Sequence, residues 1–272
     1  MRRLFKLSII NLKYSFNFKN ILLIVTFSII YSMYGINLFK EFQNNISIGD
    51  IFLKLYGGVD FKSYNMLEYI QLLGFQIILI YFILKWVYSE FVEKVSLILF
   101  RIKSYSVWVY SIIIPAILKS IFYMIIIYIT TLIFTTLKLG FSTEITSNSL
   151  NNLMINIPTI NTIIKLFILN SLSIILILLI IINIYFILND FNLSIILTLI
   201  IYMISMFWNN KYFSVGNNLT FVRTLYFNVD YVTSNYNYNV LYIGTLILFN
   251  LLFSSKLQYQ IELVLNYDLR TN

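Results

Sequence analysis

Long apolar runs separated by polar segments dominate the chain. A membrane span needs about 20 mostly apolar residues. Six stretches meet or approach that length: 21–39, 67–87, 107–137, 163–188, 193–208 and 241–253. The third is 31 residues long, roughly 46 Å as a helix. It therefore tilts across a hydrocarbon core of about 30 Å or protrudes from it. The fourth and fifth runs are separated only by Asn189, Asp190, Phe191 and Asn192. The sixth extends back into a segment rich in Tyr and Asn. Residues 40–66, 138–162 and 209–240 are rich in Asn, Ser, Thr and Tyr and read as outer loops without a domain of their own. The fold class is all-α, with six transmembrane helices forming one domain over residues 21–272. A three-plus-three division near residue 150 is conceivable, but no motif recurs across it, which argues against an inverted-repeat carrier.

Residues 2–19 have a different character. Leu4, Phe5, Leu7, Ile9, Leu12 and Phe16 are mixed with Arg2, Arg3, Lys6, Lys13 and Lys19. A basic amphipathic helix of this kind, placed at residues 1–20, lies in the membrane interface. It either meets a cytoplasmic partner or serves as a positive-inside anchor. The apolar run starts too far in for a cleavable signal peptide, and no small-x-small site follows it. Trp208, Tyr212, Tyr231, Tyr236, Tyr238 and Tyr242 fit an aromatic belt.

Composition agrees with a membrane protein. Sixty per cent of the residues are hydrophobic and 11% are charged, against about 45–50% and roughly 25% in soluble domains. With no Cys and no His, disulfides, thiolate nucleophiles, Ser-His-Asp triads and imidazole metal ligation are excluded. The eleven acids are scattered, and no close pair lies inside an apolar run. No catalytic residue, metal site or cofactor is expected. There is no GxxxxGK[ST] loop, because Lys103-Ser104 and Lys119-Ser120 lack the upstream glycines. Any energised work therefore draws on a partner or an ion gradient. The net charge of +8 reflects basic residues flanking spans rather than nucleic-acid binding. If the N-terminus is inside, the inner set is Arg2, Arg3, Lys6, Lys13, Lys19, Lys85, Lys94, Arg101, Lys103, Lys256 and Arg270. The outer set is Lys40, Lys54, Lys62, Lys138, Lys165, Lys211 and Arg223. Eleven against seven favours N-in, C-in topology. Heavy use of Ile, Asn, Lys, Phe and Tyr suggests a low-GC bacterium, and hence a multi-pass protein of the bacterial plasma membrane.

The segment from Lys85 to Trp108 carries the most specific signal. Phe91, Val95, Ile98 and Leu99 fall on one helical face, and Glu90 and Lys94 stand at i, i+4. A short charged amphipathic helix thus leads into a long span. This order resembles the permease subunit of ABC transporters of the ABC-2 (type V exporter) superfamily. In that family an acidic residue after the second span precedes a short coupling helix, an R-x-x-S/P turn, and a basic or aromatic lead into the third span. Glu90 or Glu93, then Arg101-Ile102-Lys103-Ser104, then Trp108 match that order. Lys94-Val95 replaces the usual Gly-Thr. The small permeases of lantibiotic and bacteriocin export or immunity are the most similar. The resemblance implies a homodimer or a heterodimer with a paralogous permease, a cytoplasmic ABC ATPase dimer, and an amphipathic peptide substrate. It also implies ATPase-coupling contacts at Glu90, Phe91, Glu93, Lys94, Arg101 and Lys103. The alternative is a stand-alone membrane immunity or binding protein that sequesters a peptide without an ATPase. An ion-coupled carrier would want acids at mid-membrane, and none is evident.

Two residues in the third span stand out. Pro115 removes an i→i−4 bond. Lys119 is either a group on an intramembrane pathway or a cation that snorkels to the interface. Gln71, Gln76, Asn170 and Asn183 are candidate interhelical hydrogen-bonding groups.

Overall fold

The computed structural model describes residues 2–38, 47–58, 66–93, 105–141, 159–207 and 236–271, and every regular element in them is a helix. These are α1 (Arg2–Ser15), α2 (Phe18–Leu38), α3 (Ile48–Tyr56), α4 (Met66–Tyr88), α5 (Tyr105–Leu139), α6 (Thr159–Leu188), α7 (Phe191–Phe207) and α8 (Tyr236–Thr271). A π-helical turn, Ser89–Glu93, continues α4. Among the described residues, five helical segments are long and apolar enough to cross a membrane: Phe18–Leu38, Leu73–Phe91, Ser106–Leu139, Thr159–Leu188 and Tyr236–Ser254. The helix at the expected fifth span, α7, has 17 residues, about 26 Å, which falls short of a ~30 Å core. At the other extreme α8 runs well beyond its apolar part, to Thr271.

Local chemistry sets the breaks between helices. Asn17 caps α2, its side-chain oxygen accepting from Lys19 N at 3.0 Å and its carbonyl from Asn20 N and Ile21 N. Asn189 adopts φ 54°, the left-handed conformation that ends helices and that Asn tolerates. Asp190 then caps α7, accepting from Leu193 N at 3.0 Å. The polar interruption at 189–192 is therefore one C-cap followed by one N-cap, and α6 and α7 pack as a hairpin.

Helices α5 and α6 form the centre. α6 is buried on almost every side between Asn170 and Asn183, and α3, α4, α5, α7 and α8 pack on it. α5 buries one face and exposes another. Leu118, Phe122, Ile125, Ile129, Ile133 and Leu137, three or four residues apart, form one exposed stripe. α7 similarly exposes Ile196, Leu197, Ile200, Ile201 and Ile204. Contiguous apolar surface on this scale suits lipid rather than water. Three of the four polar candidates in the spans join helices: Gln76 Nε2 donates to Ser173 Oγ at 3.2 Å, Asn170 Nδ2 to Tyr56 O and Tyr128 OH, and Asn183 Nδ2 to Asn250 O and Oδ1. The side chain of Gln71 lies outside the described residues. Tyr236 leaves the expected belt and turns inward, its hydroxyl donating to Lys165 O at 3.4 Å.

The polar segment 40–66, expected to be a loop, contains a buried helix. In α3, Ile48, Gly49, Asp50, Ile51, Phe52, Leu53, Leu55 and Tyr56 are all buried. A capping box starts it: Ser47 Oγ accepts from Asp50 N at 3.1 Å, and Asp50 Oδ2 accepts from Ser47 N at 2.9 Å. Nine residues reach about 14 Å, so α3 lies within the bundle without crossing it. Gly35 of α2 makes room, since a Cβ there would sit 2.9 Å from Leu55 Cδ1. Tyr31 OH donates to Leu55 O at 3.0 Å, and Tyr56 OH and Thr131 Oγ1 share a bond of 2.8 Å. The nine-residue apolar stretch is too short to register as a span, which is why the surrounding polar composition masks it.

Helix α1 is fastened to α5 by a backbone defect. Pro115 lacks an N–H, so the carbonyl of Ser111 loses its helical donor. Asn11 Nδ2 supplies one, at 3.0 Å from Ser111 O. Phe16 packs edge-on against Phe122, at 4.9 Å between centroids. Asn11→Ala should lower stability in detergent by about 1–2 kcal/mol, the cost of a buried unsatisfied carbonyl. Pro115→Ala restores the N–H, so Asn11→Ala should cost less than half as much in that background. Thermal unfolding of the four proteins of this double-mutant cycle measures it, and equal costs in both backgrounds would contradict the assignment.

Candidate functional site

The candidate site lies where α4, α5, α6 and α7 meet. It is built on aromatic side chains. The π turn advances α4 by a wider step than an α turn, and such turns are frequent at functional positions. Ser89 Oγ ties the turn back to Trp86 O at 2.9 Å. Phe91, 2% exposed, then points into the bundle. Its ring meets Trp108 of α5 edge-on at 5.2 Å, Phe186 of α6 edge-on at 5.5 Å, and Tyr185 at 6.0 Å. Tyr88 packs edge-on against Phe191 at the start of α7, at 5.2 Å. Offset and edge-on pairs of this kind add about 0.5–1.5 kcal/mol each to the area they bury. Four helix ends are thereby latched at one point.

The geometry changes the expected roles of two residues. Phe91, named by the resemblance among the ATPase-coupling contacts, is buried, and its ring is an internal anchor. Glu90 is only 4% exposed, so its carboxylate does not lie on an open cytoplasmic surface either. Glu93 closes the π turn. Its side chain, together with Lys94, Arg101, Lys103, the face Val95, Ile98 and Leu99, and the expected coupling helix as a whole, lies outside the described residues.

Lys119 is 0% exposed, held within the bundle. Side chains on a helix lean toward its N-terminus, which carries the Lys119 ammonium back toward the end of α4. There it sits 5.4 Å from the ring centre of Trp86 and 5.5 Å from that of Tyr123. Its Nζ has no hydrogen-bond partner, and neither has the buried Nε1 of Trp86. A desolvated cation–π contact is worth about 2 kcal/mol, whereas burying an unpaired ion costs several kcal/mol. The rings alone do not offset the burial.

A further charged residue escaped the sequence reading. Asp50 is 1% exposed, and its carboxylate accepts from Ser47 Oγ at 2.6 Å as well as from Ser47 N. The signal was present as Ser47-Ile48-Gly49-Asp50 ahead of an apolar run, a capping-box pattern. Its placement makes it a helix cap. Among the described residues no three acids come together in a way that could ligate a metal.

Comparison with family models, with curated proteins and with solved structures finds no match for this chain.

The aromatic latch predicts a graded response. Phe91→Ala should cost about 3–5 kcal/mol in unfolding experiments, as for other buried aromatics, and Phe91→Leu less than half of that. Trp108 loses a ring neighbour in the alanine variant, so its fluorescence should shift to the red in the folded protein. An unchanged spectrum with unchanged stability would refute the latch.

Proposed function

We propose that the chain is the transmembrane permease subunit of an ATP-driven exporter, similar to the ABC-2 superfamily, with a bacteriocin-like amphipathic peptide as its substrate. It crosses the bacterial plasma membrane six times, with both termini inside, and α7 serves as a short fifth span. α1 carries its basic residues at the inner interface. Two permease chains, identical or paralogous, pair in the membrane, and a cytoplasmic ATPase dimer binds the turn between α4 and α5. ATP binding and hydrolysis occur in that partner, which supplies the phosphate-loop chemistry this chain lacks.

The observation that supports this reading is the latch at Phe91. The charged turn that would receive the ATPase is flanked by Phe91 and Trp108, which are in contact, and Phe91 is packed onto α6. A displacement of the turn therefore moves α4, α5 and α6 together, because close-packed side chains transmit strain instead of absorbing it. The charges left to meet the partner are Glu93, Lys94, Arg101 and Lys103, with Glu90 and Phe91 acting as supports behind them.

Native mass spectrometry of the tagged chain, co-expressed with the products of its own operon, tests the proposal. The expected complex contains two permease chains and two ATP-binding chains. A reproducible lone monomer or homodimer would overturn it in favour of a stand-alone immunity or binding protein. Within the complex, reversing Glu93 and Arg101 together (E93K/R101E) should abolish ATPase co-purification without loss of membrane insertion. Phe91→Leu should retain the ATPase while lowering transport per ATP hydrolysed.

A further inference from the structure

Lys119 and Trp86 present two buried donors without acceptors on adjacent helices, with 5.4 Å between the ammonium and the ring centre. Lys offers only N–H donors, and so does the indole. The ring faces of Trp86 and Tyr123 attract the cation but take no classical hydrogen bond from it. The missing component is an oxygen acceptor with negative charge. We propose that this pair binds one anionic oxygen group, phosphate or carboxylate, and that an acidic membrane lipid carries it.

Depth and access favour the lipid. Trp86 lies near the end of α4, before the π turn that continues the helix to Glu93, and beside the exposed Lys85. An exposed lysine beside a half-buried tryptophan marks a depth that headgroups reach, since the lysine ammonium snorkels to them. Lys119 reaches that level from deeper in α5 because its side chain leans back toward Pro115. Trp86 is only half-buried, although its Nε1 and the Lys119 Nζ are enclosed, so the headgroup enters from the lipid side as the Trp86 ring swings aside. Next to Lys119 on α5, Leu118 and Phe122 are exposed, at 46% and 39%, and offer acyl chains a surface directly beside the cation. The net charge of +8 raises the local concentration of acidic lipid. This site requires no ATPase and no transport, so it stands or falls apart from the exporter reading.

The test uses the full chain purified in neutral detergent. Native mass spectrometry should show one phosphatidylglycerol retained per chain in preference to phosphatidylcholine. Lys119→Met should weaken that retention at least tenfold, the scale of one charge-assisted hydrogen bond, whereas Lys119→Arg should preserve it. Trp86→Phe should give a smaller loss. Without lipid, Lys119→Met should melt no lower than the wild type, since it removes an unpaired buried charge. Phosphatidylglycerol retention by Lys119→Met equal to wild type overturns the site. If inorganic phosphate alone stabilises the wild type as strongly as phosphatidylglycerol does, and not Lys119→Met, the lipid is overturned as the source. Should Lys119→Met fail to fold, Trp86→Phe decides, and unchanged retention there overturns the site.

Discussion

In a chain this apolar, polar groups hold the architecture in place. Helices surrounded by lipid tails gain little by exchanging a leucine–lipid contact for a leucine–leucine contact. Hydrogen bonds between helices are what distinguish one arrangement from another, because an unsatisfied polar group in hydrocarbon is costly. Most packed pairs here have such a bond. Asn11 joins α1 to α5, Ser28 and Thr130 join α2 to α5, and Tyr31 joins α2 to α3. Asn170 joins α6 to both α3 and α5, Gln76 joins α4 to α6, and Asn183 joins α6 to α8. Ser254 and Tyr110 add two more bonds to α8. These few polar side chains thus specify a bundle whose apolar residues would tolerate several packings.

The same constraint explains how irregular backbone is accommodated. Proline in α5 frees a carbonyl, and a neighbouring asparagine answers it. α3 brings a helix start into the bundle, and Ser47 with Asp50 satisfies its first amides and the carboxylate together. The carbonyl of Tyr56 near the end of α3 receives Asn170. Each departure from a simple span is matched by a polar side chain at bonding distance. The pattern is not complete: Gln76 Oε1, Tyr123 OH and the hydroxyls of Ser8, Thr159 and Ser171 are buried without a partner, and so are the donors of Lys119 and Trp86, where a charge is involved. A buried ammonium is far more costly to leave unanswered than a hydroxyl or an amide oxygen, which makes that pair stand out as a place for something else to bind.

The aromatic residues contribute differently. Tyr31, Phe52, Tyr56, Phe75 and Tyr128 form one cluster around α3, with ring centroids 4.8 to 5.7 Å apart. Phe91, Trp108, Tyr185, Phe186 and Phe191 form another where α4, α5, α6 and α7 meet. Large flat rings fill the gaps left where a π turn or a short inserted helix interrupts regular ridge-in-groove packing. The first cluster stiffens the interior, and the second stiffens the base of the α4–α5 turn, where the proposed coupling force would enter.

Helix content, the long third span, the 189–192 break and the bonding roles of Gln76, Asn170 and Asn183 were all legible in the sequence. They follow from local quantities: the length of an apolar run, a polar interruption with capping residues, a lone amide in hydrocarbon. The burial of α3 was not read, although its capping box was there, because nine residues surrounded by Asn and Ser carry too little apolar length to signal burial. The inward turn of Phe91 and the burial of Glu90 were likewise hidden, since a π turn shifts the register and helical periodicity assumes none. The i, i+4 spacing places Tyr123 beside Lys119, but no window along the chain could show that Trp86 closes over it. Hydropathy determines which segments leave water. Which side chains then face one another depends on contacts between residues far apart in the chain, and only the tertiary structure decides those.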